Sequence, residues 1–119
     1  MDDYPEEHEL IGFFESEARV TDRDVPPFYN RHTYSYQRDG DSVVCSIEPG
    51  YRQIDLTWRR DGHELGSFAL RDIRTLSIDG APGEESMKLQ FLSEYHMDFV
   101  LFLKPTVRIE WGNEAQINR

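Results

Sequence analysis

One cysteine, Cys45, serves a chain of 119 residues, which excludes an intramolecular disulfide framework and suits a reducing compartment. Within an alternating segment, a lone thiol of this kind reads as a small buried apolar side chain rather than a nucleophile. Long apolar runs are also missing. The longest, residues 99–103, is far too short to cross a bilayer. The opening Met1-Asp2-Asp3-Tyr4-Pro5-Glu6-Glu7 has neither the basic start nor the apolar stretch of an export signal, so a cytoplasmic location is expected.

Positive charge is scarce. Thirteen Lys and Arg stand against twenty-three Asp and Glu, for a formal net charge of -10. Residues 1–24 hold nine of the acids against only Arg19 and Arg23, a local net of -7 that leaves -3 for the remainder. A field of that sign repels phosphate backbones and anionic lipid while steering basic partners inward, so neither nucleic acid nor membrane is expected as a partner.

Catalytic signatures are lacking as well. His8, His32, His63 and His96 have no second ligand at metal-binding spacing, and no metal or other cofactor is expected. Gly80-Ala81-Pro82-Gly83 lacks the lysine and following helix of a phosphate cradle. No nucleophile elbow or catalytic-cysteine signature is present, so no catalytic residue is assigned and an enzyme is not expected.

What the chain does have is a core's worth of aromatics, 13% of its residues, spread from end to end. At this length roughly two-thirds of the unfolded surface can be buried. Residues 5–18 read as an amphipathic helix with Leu10, Phe13, Phe14 and Ala18 on one stripe, although Gly12 weakens the pattern and a strand over 10–15 competes. Residues 21–27, ending in Pro26-Pro27, form a loop.

From residue 31 the apolar period becomes two, the mark of strands with one buried face. A two-residue Asp39-Gly40 turn would set Tyr36 opposite Val43 and Tyr34 opposite Cys45. Around Asp61-Gly62 a two-residue loop would pair Ile54 with Ala69. A three-residue loop, which keeps the apolar faces in phase, would pair Ile54 with Phe68 and Leu56 with Gly66, and is the expected form. A further short strand carries Ile73, Leu76 and Ile78, and alternating segments follow over Met87 to Phe91, Phe99 to Leu103 and Val107 to Trp111, with Pro105 either separating the last two or bending one strand. Trp111 reads as a core residue and Gly112-Asn113 as the end of regular structure.

The fold class expected is mainly β: a single antiparallel sandwich or partly open barrel of about six to eight strands with one N-terminal helix. One domain spans 1–119, with an acidic helix and loop over 1–30, antiparallel β over 31–113 and a tail over 114–119.

The segment best suited to recognition is 22–32, where Asp22 and Asp24 sit in a proline-stiffened loop with Phe28 and Tyr29. Aromatic anchors lose little entropy on binding and charges choose the partner, so Glu15, Glu17, Asp22, Asp24, Phe28 and Tyr29 are the candidate partner-binding residues. The competing reading makes Phe28 and Tyr29 a hydrophobic plug between helix and sheet.

Pro27-Phe28-Tyr29-Asn30, the alternating middle strands and the ending Leu103-Lys104-Pro105-Thr106-Val107-Arg108-Ile109-Glu110-Trp111-Gly112-Asn113 together resemble the small mostly-β immunity proteins of bacterial polymorphic toxin systems. The resemblance implies a protein that neutralises a cognate toxin by binding it, commonly over the toxin's active site, with no catalytic residues of its own. It also implies a toxin that acts in the cytoplasm, and the acidic N-terminal third would suit a basic, nuclease-like toxin domain. Two other classes stay open on the residues alone. One is a small-molecule-binding or enzymatic β-barrel or sandwich with an aromatic-lined cavity, and the other a structural subunit assembling through an edge strand. The oligomeric state is left open.

Overall fold

The computed structural model describes residues 1–111, so the expected strand end at Gly112-Asn113 and the tail over 114–119 lie outside the described residues. The chain divides into two compact units, residues 14–71 and residues 1–13 with 72–119. Both are built on antiparallel sheet.

Helix α1 (Glu7–Phe14) is shorter than the expected 5–18. Glu7 and Glu9 in its first turn complement the helix dipole, and Glu9 Oε1 accepts the Glu6 N–H at 3.0 Å, satisfying one otherwise unpaired donor. Leu10, Phe13 and Phe14 are buried, as their spacing predicts. The helix stops because Glu15 turns into the left-handed region at φ 57°, which leaves Ala18 beyond the end.

In the 14–71 unit, five strands lie in the order β1-β2-β3-β4-β5. They are β1 (Arg19–Val20), β2 (His32–Arg38), β3 (Asp41–Glu48), β4 (Gln53–Arg60) and β5 (His63–Leu70). The first hairpin has the expected register, Tyr36 opposite Val43 and Tyr34 opposite Cys45. Its turn residues Asp39 and Gly40 take φ values of 51° and 88°, the pair of positive angles that a mirror-image type I turn demands.

The second hairpin corrects the expected three-residue loop. Asp61 and Gly62 make the same tight turn, with φ 50° and 84°, and Arg60 pairs directly with His63. The phase is repaired by a bulge instead: the register shifts between Trp58 and Arg59, Leu65 is left without a partner, and Trp58 then faces Gly66, Leu56 faces Phe68 and Ile54 faces Leu70. Adding the extra residue to the strand leaves the favoured turn intact, which adding it to the loop would not. Gly66 has no side chain because Phe68 lies over it, with a ring carbon 2.8 Å from where a Cβ would stand.

β1 raises the strand number to nine among the described residues, against the six to eight expected. At two residues it is too short to show any period, and it exists by pairing with His32 and Thr33 alone. Phe14, Tyr34, Tyr36, Cys45, Ile54 and Leu56 are among the buried side chains of this unit, and Phe14 stacks on Tyr34 with ring centres 5.1 Å apart. Burial pushes the Cys45 thiol pKa far up, with Asp55 adding to the effect, so it stays protonated as the sequence suggested.

In the other unit the order is β6-β7-β8-β9, comprising β6 (Ile73–Asp79), β7 (Ser86–Phe91), β8 (Phe99–Phe102) and β9 (Arg108–Trp111). Pro105 separates β8 from β9, which decides between two strands and one bent strand. Residues 2 and 3 run along the open side of β6: Asp2 N–H donates to Arg74 O at 2.7 Å, and Leu76 N–H to Asp3 O at 2.9 Å. Met87, Leu89, Phe99 and Leu101 are fully buried at the centre of the sheet.

Trp111 departs from the core placement expected for it, being 45% exposed. β9 has a neighbour on one side only, so the Trp111 ring stacks on Phe91 and meets Phe99 edge to face while staying partly in solvent. No helix among the described residues is long and apolar enough to cross a membrane.

Candidate functional site

Two single-turn 3-10 helices, Pro27–Tyr29 and Pro49–Tyr51, meet at one end of the five-stranded sheet. The first follows the loop at 21–26 and the second joins β3 to β4. Tyr29 and Tyr51 are 55% and 56% exposed, with ring centres 6.3 Å apart and planes at 68°, while Phe28 is half-buried and edge-on to Tyr29 at 5.1 Å. Gly50 makes the approach possible. A Cβ there would stand 2.7 Å from Tyr29 Cδ1 and 2.8 Å from the Phe28 carbonyl oxygen, closer than a side chain tolerates.

The preceding loop is held by a buried amide. Asn30 Oδ1 accepts from the N–H groups of Asp22 and Arg31 at 3.3 and 2.9 Å, and Nδ2 donates to the carbonyl oxygens of Asp22 and, at 3.2 Å, Val25. One 4%-exposed side chain thus satisfies backbone groups at both ends of the loop. The Asp22 carboxylate accepts the Asp24 N–H at 3.0 Å, and His32 Nε2 donates to Pro27 O at 2.8 Å. Tyr29 is therefore offered on a pinned scaffold rather than a loose one.

The six sequence-predicted residues are split by this arrangement. Asp22, Asp24, Phe28 and Tyr29 belong to the Asn30-held segment, and all but Phe28 are exposed. Glu15 and Glu17 are exposed too, but they precede β1. Arg38, at the far end of β2, has its pKa raised mainly by its hydrogen bond with Tyr36 and to a smaller degree by Asp39 and Glu15. Six strand steps, about 20 Å, separate His32 from Arg38, and Ser16 Oγ accepts the Ser35 N–H between them at 3.3 Å, so Glu15 stands apart from the aromatic pair.

Charge at the aromatic end is nearly balanced. Arg31 bonds Glu48 at 2.8 Å and Asp55 at 3.1 Å, and Arg71 bonds Asp55 at 3.0 Å. Over residues 14–71, ten acids face eight bases, a net of -2, whereas residues 1–13 with 72–119 hold thirteen against five, a net of -8. The concentration seen in residues 1–24 thus divides between the units at α1.

Sequence reasoning missed Tyr51, Gly50 and the structural role of Asn30. Pro49-Gly50-Tyr51 sits at the β3–β4 connection, which an up-and-down hairpin order places beside the start of β2, so a signal for Tyr51 was present. Among the described residues, no three His, Cys, Asp or Glu side chains are grouped to hold a metal ion.

No family model matches the chain, and no curated protein does. Among solved structures, a chain of the contact-dependent growth inhibition toxin–immunity protein complex from Klebsiella pneumoniae 342 is similar to it with a TM-score of 0.79 and 21% sequence identity, over 92% of this chain and 95% of that one. The two chains share a fold.

Proposed function

We propose that this chain is an immunity-type inhibitor that neutralises a bacterial toxin by binding it, without chemistry of its own. The observation that carries the reading is the fold shared, over nearly the whole of both chains, with a chain from a toxin–immunity complex. The sequence resemblance to immunity proteins points the same way. So does the pinned segment at 22–29, which carries Asp22 and Asp24 and whose Tyr29 is exposed and already ordered, so little entropy is lost when a partner covers it. A basic, nuclease-like toxin acting in the cytoplasm suits the net charge of -10 and the single cysteine.

The test is protection. The product of the gene next to this chain's, the expected toxin, is expressed with and without it, and the purified pair is measured for binding. Growth rescue with a stable complex is expected; a toxin that kills equally in both strains and does not bind removes the reading.

A further inference from the structure

Large apolar side chains are exposed together at a second place, within the 1–13 and 72–119 unit. The loop between β7 and β8 carries Leu92, Tyr95 and Met97, which are 49%, 87% and 45% exposed, and Trp111 beside them is 45% exposed. Tyr95 is the most exposed large hydrophobic side chain among the described residues.

This loop is ordered from within. Trp111 Nε1 donates to Met97 O at 3.0 Å, and Leu92 N–H to Asp72 O at 2.8 Å. Within the loop, His96 N–H bonds Ser93 O at 3.2 Å and Tyr95 N–H bonds Ser93 Oγ at 3.2 Å. Beneath lie the buried rings of Phe91 and Phe99, which Trp111 contacts at 6.1 and 5.4 Å between centres, with His96 against Phe91 at 5.5 Å. Isolated exposed hydrophobics need no explanation, but four on one hydrogen-bonded loop and strand end form a patch.

Charge at the level of the unit points to the occupant. Glu94 is exposed within the loop, while Asp98 and Glu110 are matched by Lys88 at 3.7 Å and Arg108 at 3.1 Å. The unit holding the patch has a net charge of -8, against -2 for the unit holding Tyr29. An ordered aromatic anchor on the more acidic unit fits a basic protein surface.

Building on the inhibitor reading, we infer that Tyr95, Met97, Leu92 and Trp111 form the principal anchor for the basic toxin, ahead of the aromatic pair at Tyr29 and Tyr51. The net charge of the unit, Glu94 in the loop included, steers it there. Affinity for the purified product of the neighbouring gene, the expected toxin, is measured for the wild type, for Tyr95→Ala/Met97→Ala and for Tyr29→Ala/Tyr51→Ala, with urea unfolding and molar mass recorded for each. Tyr95→Ala/Met97→Ala is expected to weaken binding by about 30-fold or more, the scale of a hot-spot loss, and the other pair by much less. Glu94→Lys is expected to slow association and flatten its salt dependence.

Wild-type affinity retained by folded Tyr95→Ala/Met97→Ala overturns the inference and leaves the inhibitor reading standing. A wild type that does not bind the toxin removes both. A fall in molar mass of the isolated chain in that variant assigns the patch to a second copy instead and also overturns it.

Discussion

Asp41 shows how a single buried carboxylate can tie together two strands. It is 8% exposed and accepts from Trp58 Nε1 at 3.0 Å and Arg60 Nε at 2.9 Å. The Arg60 hydrogen bond, joined by the one from Trp58, holds its pKa below the ordinary carboxylate value against the opposing effect of burial. Because the folded-state pKa lies below the unfolded one, the stabilisation is fully present above about pH 4 and is lost as the pH falls through the folded value. Asp41→Asn is expected to destabilise the protein at neutral pH, with the gap to wild type narrowing in acid. Urea midpoints at pH 7 and pH 3 measure it, and a pH-independent gap would refute the assignment. Arg60 is half-exposed, so salt should shrink the effect further.

At the scale of elements, close approach matters more than propensity. The two 3-10 turns meet only because residue 50 lacks a side chain, and one of the obstructing atoms is a backbone oxygen that cannot swing aside. Gly50→Ala is expected to cost about 1–3 kcal/mol, as overpacking does, and to shift the amide resonances of residues 28–31. An unchanged urea midpoint would show that the turns part without penalty. The hairpins explain what a sequence can and cannot disclose at this scale. Asp39-Gly40 was legible because turn chemistry and apolar phase agree there. Around Asp61-Gly62 they conflict, and either a longer loop or a bulge resolves the conflict; the choice depends on packing near Trp58 and Phe68 that no local pattern encodes. β1 was illegible for want of length. Trp111 was misplaced because strict alternation says which side a residue points to, not how far the cover over that side extends. Of the candidate site, Phe28, Tyr29 and the flanking acids were legible as a composition, whereas Asn30, Tyr51 and the 92–98 loop depend on distant strands and turns.

For the molecule as a whole, the dominant long-range fact is unbalanced charge. A net of -10 on 119 residues opposes compaction, and most of it resides in the residues outside 14–71. Raising ionic strength from about 0.01 M to 0.15 M shortens the screening length from about 30 to 8 Å. The melting temperature at neutral pH is therefore expected to rise by a few degrees over that range, as followed by circular dichroism. A flat or falling curve would mean that local ion pairs, such as those of Arg31, outweigh the net repulsion.

The bulge at Leu65 has a consequence beyond register. β5 is the outermost strand of its sheet, where a straight row of unpaired amides and carbonyls would invite another chain to add on. One surplus residue, next to a glycine and near the strand's start, bends that row and spoils its spacing. The device that settles an internal pairing also serves as a guard against aggregation, in a protein whose strands would otherwise be well suited to it.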